Sequence, residues 1–195
     1  MNERSGCMTA VWVTLGIVVL AVIVVLMTYK SSYNRLVVTD ENMETTWAQV
    51  ENVLQRRYDL IPNLVNTVKG YAEHEKEVFE NITRLRSQWG AAKNVDEKIQ
   101  ASSQLEGFIG RLLMVSERYP DLKASQSFSR LQDELAGTEN RIAVERRRYN
   151  EAVKAYNSTV RKFPSNIIAG FHGFERKANY FEASDGAETV PTVEF

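Results

Sequence analysis

The chain is poor both in residues that interrupt regular structure and in residues that carry chemistry. Its 195 residues include one cysteine, two histidines, four prolines and ten glycines. The single cysteine, Cys7, excludes an internal disulfide and a zinc site built on cysteines. The scarcity of proline and glycine, beside abundant Glu, Gln, Arg, Leu and Ala, predicts an all-α protein.

An excess of charge of either sign is also lacking. The chain carries 24 Lys and Arg residues against 25 Asp and Glu residues, a formal net charge of −1. Binding to nucleic acid depends on a basic surface that neutralises phosphates. A near-neutral net charge gives no electrostatic argument for such binding, so no nucleic-acid partner is predicted.

Catalytic motifs are missing as well. An E-x-x-H element is absent because Tyr71 stands where His74 would need a glutamate, which excludes a di-iron carboxylate bundle. There is no glycine-rich phosphate loop and no G-x-S-x-G motif. The sequence therefore predicts no catalytic residue, no metal site and no cofactor. An enzyme would require His172 to lie beside a buried acid in an open cleft.

One feature that the sequence does have is a long apolar run. After a short segment, 1–7, residues 8–29 are uncharged and mostly Val, Leu, Ile and Ala. A helix of that length spans roughly 33 Å, enough to cross the hydrocarbon core of a bilayer. No small-x-small cleavage site follows the run, which favours a retained anchor over a cleaved secretory signal. The lipid bilayer is thus a predicted partner through residues 8–29.

The orientation of this anchor depends on the basic residues beside it. Arg4 and the amino terminus precede the run, whereas Lys30 and Arg35 follow it. Basic residues are enriched on the cytoplasmic side of membrane helices. By a small margin the sequence favours a single-pass protein of the cell membrane with its N-terminus outside and its remaining domain in the cytoplasm.

A second feature is an apolar stripe after the anchor, at the spacing of one helix face. It passes through Pro62, which removes a backbone hydrogen bond and crowds the carbonyl of Tyr58. The sequence predicts a helix kinked at Pro62, with Asn63 and Asn66 beside the freed backbone groups. The residues of the stripe are Trp47, Val50, Leu54, Tyr58, Ile61, Val65 and Val68.

Further helical patterns complete the predicted architecture. A loop at 90–96, with Asp96 as the N-cap of the next helix, and a stop before Pro120 divide them. The predicted fold is an N-terminal single-pass transmembrane helix followed by an antiparallel bundle of long helices over 30–164. Residues 165–195 are predicted to form an aromatic docking tail with a loose acidic end.

A few polar residues are candidates for structure or interaction. Arg56, Arg57 and Asp59 precede the proline, and the arginines are expected to pair with acids of a neighbouring helix, or else with a partner protein. The dipeptides Tyr149-Asn150 and Tyr156-Asn157 lie seven residues apart. Their tyrosines either line the core edge with their hydroxyl groups on polar partners or form a strip for another subunit.

The segment that contains Phe171 leaves two alternatives open. Ile167-Ile168-Ala169-Gly170-Phe171 is free of charge. Buried on the bundle, it completes the core. If it is exposed, it forms an apolar patch and therefore a contact surface.

Several ordered blocks of the chain resemble the LemA family of bacterial membrane-anchored helical proteins. The resemblance covers about residue 33 to the C-terminus. It implies the same anchored helical fold but no agreed biochemical activity, and the family includes members associated with magnetosome membrane formation. The blocks are Glu51-Asn52, Leu54-Gln55-Arg56-Arg57, Asp59-Leu60-Ile61-Pro62-Asn63-Leu64-Val65, Tyr119-Pro120-Asp121-Leu122-Lys123-Ala124, Thr138-Glu139-Asn140-Arg141-Ile142, Tyr149-Asn150, Phe163-Pro164 and Tyr180-Phe181-Glu182-Ala183.

Two classes of function follow from these features. The first is a non-enzymatic, membrane-tethered scaffold or adaptor of the bacterial envelope that organises proteins or membrane shape, with a homo-oligomer and other envelope membrane proteins as expected partners. The second is a ligand- or signal-binding membrane module linked to envelope stress or protease function. Its pocket would lie near Trp47, Pro62 and the aromatic residues of the tail.

Overall fold

A computed structural model describes residues 3–71 and 75–181, and it describes the side chains of 12–71, 75, 77 and 79–181. These residues form helices joined by short connections, and no strand occurs among them. The predicted all-α class is confirmed. The helices are α1 (Glu3–Lys69), α2 (Lys76–Ala91), α3 (Val95–Ser116), α4 (Pro120–Lys123), α5 (Gln126–Arg161) and α6 (Ser165–His172). Cys7 and His74 lie outside the described side chains.

Helix α1 contains both the apolar run and the predicted kink site. It continues without a break through Asp40 and Glu41 and has Pro62 in its interior. Among the described residues, α1 is the one helix that is both long enough and apolar enough to cross a membrane, judged by length and composition. Side chains from Trp12 to Tyr29 are exposed to the surroundings of the protein.

The chain divides into two compact units. Unit 1 comprises Met1–Glu44 and Ala152–Lys177, and unit 2 comprises Thr45–Glu151 and Ala178–Phe195. The core of unit 1 forms where Leu36 of α1 packs against Ile168 and Ala169 of α6. Partly buried apolar side chains surround that contact, namely Tyr33, Val160 and Phe174.

The core of unit 2 is built on the stripe of α1. Trp47 contacts Tyr149 of α5, and ten residues later Arg57 pairs with Glu139 of α5. Residue numbers thus rise along α1 while they fall along α5, as expected for two helices that run in opposite directions. The antiparallel arrangement of the whole bundle and the predicted domain bounds stay predictions. The buried side chains of this core include Val50, Leu54, Tyr58, Ile61, Leu64, Val68, Phe128, Leu135 and Ile142.

The start of α3 corrects one prediction. The N-cap is Asn94 and not Asp96, which lies in the first turn of the helix. The Asn94 side-chain oxygen accepts a hydrogen bond from the Glu97 N–H at 2.8 Å, and the Glu97 carboxylate accepts one from the Lys93 N–H at 2.8 Å. This reciprocal arrangement satisfies one backbone donor just before the helix and one in its first turn. It leaves no capping role for Asp96.

Replacement of Pro62 tests whether the predicted kink shapes the bundle. In Pro62→Ala the new N–H can donate to the Tyr58 carbonyl, and the crowding of that carbonyl disappears. We expect altered packing of unit 2, seen as changed protease resistance and hydrodynamic size, with membrane insertion unchanged. If size, protease resistance and helix content all equal those of the parent protein, the proline has no role in the geometry of the bundle.

Candidate functional site

In unit 1, α5 holds the chain that follows α6 through an amide side chain. Asn157 is buried, and its Nδ2 donates to the Lys177 carbonyl at 2.8 Å. The Lys177 N–H donates in return to Asn157 Oδ1 at 2.9 Å. The neighbouring Tyr156 hydroxyl donates to the Glu175 carbonyl at 3.0 Å. One asparagine thus satisfies both main-chain groups of a tail residue, as a neighbouring strand would do.

In unit 2, a second asparagine holds the tail in the same way. Asn150 Nδ2 donates to the Phe181 carbonyl at 2.8 Å, and the Phe181 N–H donates to Asn150 Oδ1 at 3.0 Å. The ring of Phe181 stacks on Trp47 and meets Tyr149 edge-on, with centroid distances of 6.1 and 5.9 Å. We call Asn150 and Asn157, with the main chains they bind, the two amide clasps. The Tyr-Asn pairs therefore contact the tail of their own chain.

Burial of the two tyrosines beside the clasps predicts a pH dependence. Desolvation first, and then neighbouring ionisable groups such as Asp96 and Asp40, raise the pKa of Tyr149 and of Tyr156 to about 12. Unfolded tyrosine ionises near pH 10, so this contribution to stability is complete below about pH 10 and is lost as the pH rises to about 12. We expect tyrosinate absorbance and loss of helical circular dichroism to rise together in that range. In Tyr156→Phe the alkaline loss of stability should be smaller.

Arg57 occupies a position that usually holds an apolar residue. It lies three residues after Leu54 and four before Ile61, on the stripe of α1, and only 4% of it is exposed. Its guanidinium pairs with the carboxylate of Glu139 on α5. Loss of hydration lowers the pKa of Arg57, whereas the charges of Glu139 and Glu106 oppose that shift. The pair is therefore an intramolecular contact that holds a buried charge.

A second arginine of α5 extends this network. Arg146 donates to the Glu106 carboxylate of α3 at 3.1 Å, and its guanidinium lies 5.0 Å from the centroid of Phe181. Within the described part of the chain, several buried donors of the network have no hydrogen-bond partner. Each unpaired buried donor costs folding free energy because it has lost its hydrogen bonds to water. Breaking one of the remaining pairs would add to that cost. These atoms are Arg57 Nε and Nη1, Tyr58 Oη, and Arg146 Nε and Nη2.

These roles of Glu139, Glu106 and Lys177 were not predicted from the sequence. A readable signal existed for Glu139, since an arginine on an apolar stripe requires an acid on a facing helix. No comparable signal exists for Lys177, because its main chain and not its side chain is bound.

The remaining candidates of α1 lie at the surface. Arg56 is exposed, and Asp59 accepts a hydrogen bond from Gln55 at 2.9 Å. Pro62 is half-buried. The exposed Asn63 and Asn66 act through their main-chain carbonyls, which accept from the Thr67 hydroxyl and the Gly70 N–H. These residues form no shared site with the arginine network.

A groove of about 520 Å³ lies in unit 2 beside the stacked rings of Tyr58 and Trp89. Lys98 lies at its edge, 5.7 Å from the centroid of Trp89, and pairs with Glu51. This groove is not at the place of the predicted pocket, since neither Trp47 nor Pro62 lines it. The other lining residues are Gln55, Thr83, Arg86, Ser87, Gly90 and Ala92.

The second histidine and Phe171 lie on α6. His172 is exposed, and its Nε2 is 2.7 Å from the Tyr29 hydroxyl. Among the residues that the structure describes, no three His, Cys, Asp or Glu side chains form a group that would hold a metal ion. Phe171 is 82% exposed, whereas Ile168 and Ala169 of the same helix are buried. Of the two alternatives for this segment, burial therefore applies to one face and exposure to the other.

Comparisons with known proteins place these features among relatives. The LemA family model matches residues 46–195. Magnetosome protein MamQ 2 of Paramagnetospirillum magneticum is 27% identical over 197 residues, which cover 88% of this chain and 72% of that protein. Protein LemA of Metamycoplasma hominis is 26% identical over 145 residues, 72% of this chain and 65% of that protein. The apolar helix and these relatives together indicate an association with membranes.

Proposed function

Because the chain belongs to the LemA family, we propose that it is a non-enzymatic, membrane-tethered scaffold or adaptor of the bacterial envelope. The observation that carries this proposal is α1, which continues from an exposed apolar run into the packed core of unit 2 as one helix. The polar clusters of the described residues hold helices and tail together, and the relatives include magnetosome proteins.

The scaffold acts through self-assembly and through contacts with other envelope membrane proteins. Its anchor crosses the membrane once at residues 8–29. The bundle lies in the cytoplasm and the N-terminus lies outside, since Lys30 and Arg35 outnumber Arg4 beside the run. This orientation is directly testable, because Cys7 is the one cysteine of the chain. A membrane-impermeant maleimide should label intact cells at Cys7. Labelling only after permeabilisation would show that the N-terminus lies in the cytoplasm and the bundle outside.

The mass of the full-length protein in mild detergent tests self-assembly. We expect a defined oligomer whose mass is constant over a tenfold range of protein concentration. A second measurement in nanodiscs of increasing diameter shows whether the same number of copies enters one disc. A monomer under both conditions would contradict self-assembly and would favour an adaptor that acts through a different protein.

The groove beside Trp89 favours a second candidate function, the binding of a small ligand. An aromatic wall beside Arg86 and Lys98, with Glu51 as the one acid among the described lining residues, suits a ligand that combines an apolar body with a negative charge. Tryptophan fluorescence of the full-length protein, titrated with envelope lipids and peptides, tests this function. A saturable change that disappears in Trp89→Phe, but not in the control Trp12→Phe, would support ligand binding over a pure scaffold.

A further inference from the structure

Helix α6 is apolar on two opposite faces. Ile168 and Ala169 pack on Leu36, whereas Ile167 is 50% and Phe171 is 82% exposed. Phe163, in the turn before the helix, is 80% exposed. An exposed apolar face on a helix marks a contact with lipid or with another protein. Because only one face of α6 contacts the protein, the other face has apolar surface that needs a different partner.

The position of α6 within unit 1 identifies that partner. His172 bonds to the hydroxyl of Tyr29, and its ring lies 4.7 Å from that of Tyr33. Tyr29 is the last residue of the uncharged run 8–29. Tyrosines are enriched where membrane helices leave the lipid. Helix α6 thus lies beside the end of the apolar run, the level at which the hydrocarbon core of a bilayer would end.

The charges around α6 match the same partner. The stretches 30–40 and 161–177 contain six basic residues and only two acidic ones, Asp40 and Glu175. Basic side chains next to a membrane helix are attracted to anionic headgroups. Their long side chains can keep the charge in water while apolar neighbours enter lipid. The six are Lys30, Arg35, Arg161, Lys162, Arg176 and Lys177.

We propose that α6 is an interfacial membrane helix. Phe163, Ile167 and Phe171 enter the leaflet next to Tyr29, to a depth of about 5 to 10 Å, while the opposite face stays on Leu36. This inference rests on the proposed anchor, since the leaflet is defined by where α1 leaves it. It adds a second lipid contact, which holds unit 1 against the bilayer surface.

The test uses full-length protein in vesicles of phosphatidylcholine and phosphatidylglycerol. Single cysteines are introduced in a Cys7→Ser background by Val22→Cys, Phe171→Cys or Lys154→Cys, and each carries an NBD fluorophore. Lys154 is an exposed residue of α5 in the same unit and is the matched control. Lipids with a nitroxide at carbon 5 should quench the label at position 171. Lipids with a nitroxide at carbon 12 should quench the label at position 22 more strongly, and neither should quench the label at position 154.

The label in the anchor separates the two proposals. If the label at position 22 is also unquenched, the anchor is wrong, and the proposed function fails together with this inference. If position 22 is quenched but position 171 behaves like position 154, the inference alone is overturned. A label at 171 that is shielded from both lipid nitroxides and aqueous iodide would show a second protein copy on this face and would also overturn it. Ile167→Cys repeats the test should Phe171→Cys lose helix content.

Discussion

Glu139→Ala is expected to destabilise the protein by about 2 to 3 kcal/mol, because it leaves the buried guanidinium of Arg57 without its carboxylate. The value lies at the lower end for a broken buried pair, since Glu139 itself is 38% exposed. Arg57 cannot escape by losing its proton, because an arginine stays charged in proteins. Two further donors of its guanidinium, Nε and Nη1, already lack hydrogen-bond partners among the described residues.

Two variants separate the lost pair from a general effect of substitution. Glu117→Ala breaks the exposed pair with Lys123 and should cost less than about 1 kcal/mol. Arg57→Met in the Glu139→Ala background removes the buried charge and should recover part of the stability. The measurement is the denaturant midpoint of helical circular dichroism in detergent. Equal midpoints for Glu139→Ala and Glu117→Ala would show that Arg57 needs no partner.

Asn157→Asp is expected to cost about 2 kcal/mol and to free the chain after α6. The substitution keeps an acceptor for the Lys177 N–H but replaces the Nδ2 donor with an oxygen that faces the Lys177 carbonyl. Trypsin should therefore cleave at Arg176 and Lys177 faster than in the parent protein. Asn140→Asp, at an exposed position of the same helix, is the control and should stay within about 0.5 kcal/mol of the parent.

The loss in Asn157→Asp should also depend on pH. Burial and the facing carbonyl raise the pKa of the new carboxyl group above the value of about 3.9 in the unfolded chain. A raised pKa in the folded state means that stability is retained below the unfolded pKa and is lost as the pH rises through the folded pKa. The difference from the parent protein should thus be smallest near pH 4 and largest near pH 8. A difference that does not vary with pH would show that the carboxyl group reaches solvent.

The helices could be predicted from the sequence because their signals are local. The spacing of Val50, Leu54 and Ile61 defines one helix face, and all three are buried where the pattern places them. The stop before Pro120 and the long helix after Ser125 likewise follow from neighbouring residues. The cap of α3 was readable too, since Asn94 and Glu97 have the spacing of a capping box. The prediction of Asp96 as the N-cap was wrong because aspartate and asparagine are about equally good N-caps.

A partner for Arg57 on a neighbouring helix could be predicted, but the identity of the partners in the candidate site could not, because the contacts join residues that are distant in sequence. Arg57 and Glu139 are 82 positions apart, and Asn157 binds a main chain 20 positions away. Patterns of residue type report which face of a helix is apolar, but they do not report which polar group lies opposite. The tail aromatics show this limit. Phe181 and Phe171 are the same residue type, yet one is buried against Trp47 and the other is exposed.

The amide clasps have a consequence for mutational tolerance. Both asparagines bind main-chain atoms. The hydrogen bonds of a clasp therefore do not depend on the side chain of the residue that it holds. At position 177 the exposed lysine can be exchanged for most residues while the chain keeps its path. Proline is the exception, because it has no N–H to donate to Asn157. In a saturation library, position 177 should therefore tolerate every residue except proline. Position 157 should tolerate almost no residue other than asparagine.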